Sequence, residues 1–203
     1  VVAAGGLIPP TPLAPTATTI EAPEYFVPKV DFHPLPPECY AQNLIRPFEI
    51  IVHWDGNRQG RDLWLASITF ETLQFTRQSS HFAVDYKRTW QMLPMYRTLV
   101  QESYGAMGYN WAAINVEMAG TEFDLADNAP PDEEVTLTVR LVSRLMDHYA
   151  IACAHVVGHF ERDPRGDKRD PGVHFMATFR ERLAAYRARL SPLKQQALAE
   201  PGM

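Results

Sequence analysis

The chain has 203 residues, 46% of them hydrophobic, with four tryptophans and a formal charge of −5, which suits one domain of ordinary size with a substantial core. The acidic balance gives no basic footprint for a nucleic acid. No apolar run approaches the roughly 18 residues that a membrane-spanning helix needs.

More than half of the 17 prolines precede Phe48, and residues 1–23 mix Pro, Thr, Ala and Gly without helical or strand periodicity. Such a segment has too little contiguous apolar surface to offset the entropy of ordering, and its prolines favour an extended tether. Aromatic and aliphatic residues return between Glu24 and Pro47 (Tyr25, Phe26, Val30, Phe32, Leu35, Tyr40), so this part of the arm is expected to lie on the domain surface. The reading is an N-terminal Pro/Thr-rich arm or linker over residues 1–45 and one domain over 46–203. Because the sequence opens at Val1 and not at Met, a processed or trimmed product is expected.

Phe48 to Gly56 (FEIIVHWDG) is a continuous apolar run closed by polar residues and glycine, the pattern of a buried central strand. It would leave His53 at the strand's C-terminal end, where open α/β sheets hold ligands. A second strand is expected over His81–Tyr86 and a third over Ala113–Ala119. In the third, alternation puts Ile114, Val116 and Met118 on one face and Asn115 and Glu117 on the other. A carboxylate in a buried-looking strand is costly unless paired or used, which makes Glu117 a functional candidate.

After Pro130 and Pro131, apolar residues from Val135 to Tyr149 fall at helical spacing behind Asp132, Glu133 and Glu134, as the helix dipole favours. A last helix is expected over Met176–Leu190, with Phe179, Leu183, Tyr186 and Leu190 on one stripe. Arg180, Arg182, Arg187 and Arg189 form its outer face, read most simply as solvated. Cys39 and Cys153 are the only cysteines; one disulfide is conceivable, and Cys153 is otherwise expected to be a buried apolar residue.

The segment Gly158–Gly172 (GHFERDPRGDKRDPG) puts an imidazole, a lysine and a carboxylate in one loop. A catalytic zinc takes three protein ligands and leaves a fourth position open, and His53, His159 and Asp170 could supply that set. Asp170 precedes Pro171 and Gly172, a turn-forming pair that restricts where the carboxylate points. Alone, so charged a loop is more commonly a solvated one. His155 and His159 stand four apart, the spacing of a zincin helix, but Val156 replaces the glutamate base and Gly158 interrupts the helix. That pairing is rejected, and His155 is read as a structural histidine in the strand leading to His159. His33, His148 and His174 default to the surface.

FEIIVHWDG, SSHFAVDY, INVEMAGT and GHFERDPRGDKRDPG together resemble, in order and spacing, the type 2 zinc N-acetylmuramoyl-L-alanine amidases, a family that includes the peptidoglycan recognition proteins. The likeness runs from about Arg46 to Arg189. It implies an α/β fold, a central mixed β-sheet flanked by helices, and a zinc amidase domain. By the same resemblance His53, His159 and Asp170 match the Zn2+ ligands, Glu117 the general base and acid, and Lys168 the group that steadies the oxyanion. His81 matches a histidine close to the site that is not a ligand. Zinc-activated water would cleave the amide between N-acetylmuramic acid and L-alanine of the stem peptide. The chain departs from the family over Gln101–Trp111 (QESYGAMGYNW), where a histidine-containing block is common. Trp54, Tyr104, Tyr109 and Trp111, with His81, are candidate substrate contacts.

The expected partner is peptidoglycan or a muropeptide, with no nucleic acid and no membrane span, and a monomer is expected. The arm points to an extracellular or cell-envelope protein, secreted and tethered, or equally to a linker reaching a further domain. A binding module of the same fold that recognises peptidoglycan without cutting it is the alternative; a zinc peptidase of unrelated type is a third reading.

Overall fold

A computed structural model of the chain describes residues 30–199, with side chains as far as residue 190; the Pro/Thr-rich stretch before residue 30 lies outside the described residues. The strands are β1 (Asp31–Phe32), β2 (Leu44–Ile45), β3 (Glu49–Trp54), β4 (Phe82–Val84), β5 (Thr89–Gln91), β6 (Val100–Gln101), β7 (Ala113–Met118) and β8 (Val156–Gly158). The α-helices are α1 (Ala66–Thr76), α2 (Asp132–Tyr149) and α3 (Val173–Ala199).

Six strands form one mixed sheet in the order β1-β5-β4-β7-β3-β8, antiparallel only between β4 and β5. β2 and β6 make a separate antiparallel pair. The central β3 and β7 are buried along almost their whole length, which is why β3 reads as a nearly continuous apolar run.

Their two faces nevertheless do different work. Ile50 and Val52 of β3, Ile114, Val116 and Met118 of β7, and Phe82 and Val84 of β4 pack with Val135, Val139, Val142, Leu145 and Met146 of α2 and Met176, Phe179 and Leu183 of α3. Fully burying one such side chain contributes about 1.5–3 kcal/mol, so this layer carries most of the fold. The opposite face bears Glu49, Ile51 and His53 of β3 beside Ala113, Asn115 and Glu117 of β7. α1 and Trp90 cover it toward β4, around Ala83, while Ala106 and Tyr109 cover it toward β8, around Ile51 and Val157. The polar ends of β3 and β7 lie between these two covers.

The end of the arm joins the domain. β1 pairs with β5, Asp31 opposite Trp90, and Leu35 and Cys39 are buried, deeper than the surface position expected from their spacing. His33, expected at the surface, stacks on Trp90 with ring centroids 3.7 Å apart. Both cysteines are free, and Cys153 is exposed rather than buried, on a short 3-10 turn outside the edge strand β8.

α2 occupies the span expected of it. α3 begins three residues earlier than expected, because the Asp124 carboxylate accepts the backbone N–H groups of Phe175 (2.7 Å) and His174 (3.3 Å). A side chain about 50 residues away thus caps the helix. Gly172 sits there with φ +110, and an added Cβ would collide with that carboxylate. The arginine face of α3 is ion-paired where solvation was expected: Arg180 with Glu161, Arg182 with Asp132 and Arg187 with Asp147. Among the described residues no helix is long and apolar enough to cross a membrane.

Candidate metal centre

Parallel register sets the site. His53 at the end of β3 is level with Glu117 on β7. Val52 is level with Gly158 of β8, so the next residue, His159, leaves the sheet beside His53. A 3-10 turn over His159–Arg162 follows, and its position is fixed by a bidentate pair in which Arg162 Nε and Nη2 donate to Glu49 at 2.8 and 2.9 Å. The loop closes where the Phe160 N–H donates to the Asp170 carbonyl (3.0 Å). Between these ends the Asp163 carboxylate accepts N–H groups of Arg165, Asp167 and Lys168.

This brings three distant residues together. His53 Nδ1 lies 3.0 Å from His159 Nδ1 and 3.1 Å from Asp170 Oδ2, and His159 Nδ1 lies 2.9 Å from the same oxygen. All three side chains are buried, and they form the group of donors among the described residues that could hold a metal ion. Burial lowers the pKa of His53 against the pull of Asp170. Burial also opposes the charge on Asp170, but hydrogen bonds from His159 and His53 outweigh it and hold the carboxyl below the usual range. The site therefore favours a neutral His53 imidazole beside a charged Asp170 carboxylate, the protonation states that ligation by these two groups needs.

Glu117 is 7% exposed and accepts a hydrogen bond from Ser80 Oγ at 3.0 Å. Burial first, then the charges of Asp170 and Asp55, raise its pKa well above the ordinary value, while Ser80 and Lys168 oppose them. Lys168 is exposed on the loop, within electrostatic reach of Glu117.

The remaining candidates sit elsewhere. His81 is wholly buried, accepting the Asn115 N–H at Nδ1 (3.0 Å) and donating from Nε2 to the Gln101 carbonyl (2.8 Å). It has no face to offer a substrate and holds the strands in place; burial takes its pKa down to about 4. Trp54 packs edge-on against Phe123, and Trp111 leans on Phe48 with its indole N–H on the Gly108 carbonyl. Tyr104 is 43% exposed. Tyr109 is part of the cover over Ile51 and Val157, with the Arg162 guanidinium 5.5 Å above its ring. His155 ends an exposed 3-10 turn, its ring 3.7 Å from Glu49, and joins neither β8 nor the donor cluster.

Sequence reasoning missed Ser80, Glu49 and the acceptor behind His53, which is Asn115: His53 Nε2 donates to Asn115 Oδ1 at 2.8 Å. The alternation that put Asn115 on the face of Glu117 was the available signal.

A profile of the N-acetylmuramoyl-L-alanine amidases matches residues 45–173. The chain belongs to the N-acetylmuramoyl-L-alanine amidase family. Its fold is that of solved relatives in which the amidase sheet and flanking helices recur. A mutant endolysin from Bacillus subtilis superimposes with TM-score 0.61 at 22% identity, covering 75% of this chain and 96% of that one. The amidase LysC from Clostridium intestinale gives 0.54 at 17%, over 78% and 99% of the two chains. A selenomethionine derivative of AmpD gives 0.55 at 19%, over 77% and 95%. No curated protein sequence matches. The amidase architecture expected from the four sequence blocks, a mixed sheet flanked by helices, is the one the chain adopts.

Proposed function

We propose that this chain is a zinc-dependent N-acetylmuramoyl-L-alanine amidase that hydrolyses the bond between the lactyl group of N-acetylmuramic acid and L-alanine of the stem peptide. The observation that carries the reading is the convergence of His53 Nδ1, His159 Nδ1 and Asp170 Oδ2 within 3.1 Å of one another, one strand away from a buried glutamate. A tetrahedral ion with bonds about 2.0–2.2 Å long holds its donors roughly 3.3–3.6 Å apart. The three atoms need only spread by a few tenths of an ångström to receive it, and two imidazoles with one carboxylate are a donor set that zinc accepts.

Bound zinc supplies Lewis acidity, lowering the pKa of water toward 7 and polarising a carbonyl. The chain's own residues do the rest. Glu117, kept proton-hungry by burial, takes a proton from the attacking water as its oxygen bonds to the amide carbon. Glu117 then delivers that proton to the alanine nitrogen as the C–N bond breaks, and the second water proton leaves to solvent, so the products are a lactyl carboxylate and a free amino group. Lys168 offsets negative charge on the former carbonyl oxygen. Asn115 and Ser80 hold His53 and Glu117 in orientation.

Such a substrate implies work at the cell envelope, with the Pro/Thr-rich residues 1–23 as an arm and a catalytic unit that takes in β1 and β2. Trp54, Tyr104 and Trp111 are the candidates for glycan or peptide contact. A module that only binds peptidoglycan has no use for Glu117 and Lys168, and the presence of both beside the donor cluster favours the hydrolase. The test is metal analysis together with muropeptide release from purified walls, with Glu117→Ala and His159→Ala beside wild type. Release by wild type alone is expected; binding without release by a zinc-loaded wild type contradicts the reading.

A further inference from the structure

Behind the donor cluster lies a buried polar chain that the reaction itself does not use. Asn115 Oδ1 accepts from His53 Nε2 at 2.8 Å, and Asn115 Nδ2 donates to Ser103 Oγ at 2.6 Å. Asn115 and Ser103 are both wholly buried. The Asn115 main chain is held as well, its N–H on His81 Nδ1 (3.0 Å) and its carbonyl under the His81 N–H (2.9 Å). Gly105 closes over the amide from above: a Cβ there would come within 3.1 Å of Asn115 Cγ and 2.9 Å of the Ser79 carbonyl. A side chain at Gly105 would therefore press on this amide.

Its direction matters for chemistry. An imidazole with one proton carries it on one nitrogen and offers the other as a lone pair. With Oδ1 facing His53, the proton belongs on Nε2 and the lone pair on Nδ1, the atom that meets His159 and Asp170. A reversed amide would present N–H to Nε2 and push the proton to Nδ1, into the place of the ion. Ser103, near the start of the segment in which this chain departs from its family, accepts from the two-donor end of the amide in the orientation that turns Oδ1 toward His53.

We infer that Asn115, hydrogen-bonded to Ser103, is a positioning residue that fixes the Nε2–H tautomer of His53 and thereby sets the affinity of the site for zinc. This rests on the reading of His53 as a zinc ligand. Outer partners of ligating histidines typically change metal affinity by about 10–100-fold. Only a group acting on the ligand, and not on the substrate, would do so here.

The experiment is zinc affinity, measured by competition with a chromophoric chelator, on wild type, Asn115→Leu, Asn115→Asp, Ser103→Ala and Glu117→Gln. Asn115→Leu has nearly the same shape without an acceptor and is expected to bind about 10–100-fold more weakly. Asn115→Asp keeps the acceptor and should restore affinity to near wild type, whereas a merely structural role would not distinguish the two. Ser103→Ala should fall between them. Glu117→Gln should bind as wild type does. If Asn115→Leu does not fold, the proton spectrum of zinc-loaded wild type decides: the His53 Nε2–H should be protected from solvent exchange. Undiminished affinity in Asn115→Leu, or a freely exchanging His53 N–H, overturns the inference. Absence of zinc binding by wild type instead overturns the reading on which it rests.

Discussion

His53 and Glu117 stand opposite each other in the parallel register of β3 and β7, so one strand pairing brings a member of the candidate metal cluster and a buried carboxylate to the same face. Neither residue can drift from the other without breaking the centre of the sheet. That pairing gives Glu117→Gln a definite outcome. The amide keeps the size of the side chain and can still accept from Ser80, but it cannot carry a proton between water and the leaving nitrogen. Muropeptide hydrolysis should fall by about 10²–10⁴-fold with zinc content unchanged, as turnover and metal analysis on one preparation will reveal.

Zinc should also stabilise the fold, since the donors come from β3, the turn after β8 and the residue ahead of α3. At free zinc a hundredfold above its dissociation constant the gain is about 2.7 kcal/mol, read as an upward shift of the thermal transition. Asp170→Ala removes the only carboxylate of the donor cluster and should abolish the zinc-dependent shift. An equal shift in both proteins would count against the ligand set.

How far the sequence disclosed this site depended on the range of the interaction. The buried run of β3, the alternation of β7 and the amphipathic period of α2 are local patterns, and they placed His53 and Glu117 on their strands. Contacts made across the chain were not legible. The Asp124 cap that starts α3 early, the Glu49–Arg162 pair behind the 3-10 turn and the strand β1 at the sheet edge depend on segments about 50 to 110 residues apart. Cys153 was misjudged because a cysteine's average burial says nothing about a 3-10 turn outside an edge strand. Asn115 was seen on the right face, but without the neighbouring ring of His53 its acceptor role had no visible object.

For Glu134 the sequence disclosed the helix position but not the burial. Its position in the first turn of α2 was read only as serving the helix dipole, yet it is wholly buried and neither oxygen makes a well-formed hydrogen bond. Burial first, then the charges of Asp55 beyond β3 and Asp85 beyond β4, push its pKa up to about 9 against a weaker pull from the Ala119 N–H at the end of β7. Between the ordinary glutamate range and about pH 9 the folded chain therefore holds a proton that the unfolded chain has released, so stability falls as pH rises through that window. Glu134→Gln should be more stable than wild type at pH 8 and equal to it near pH 4. Urea titrations at the two pH values test this; a gap that does not change with pH would refute it.

The cap on α3 is open to a simpler substitution. Asp124→Ala leaves the N–H groups of His174 and Phe175 without their acceptor, at a cost of about 1 kcal/mol. For a domain of this size that corresponds to a melting temperature lower by roughly 2–4 °C, measurable by calorimetry on the zinc-loaded protein.

The measurement that bears most directly on the central claim is a mass spectrum of the products formed from a defined muropeptide by the zinc-loaded protein in heavy-oxygen water. Hydrolysis as proposed yields a muramic acid whose lactyl carboxylate carries one heavy oxygen, and an unlabelled stem peptide with a free alanine amino group. Heavy oxygen within the peptide, a cut in the glycan, or an intact muropeptide would contradict it.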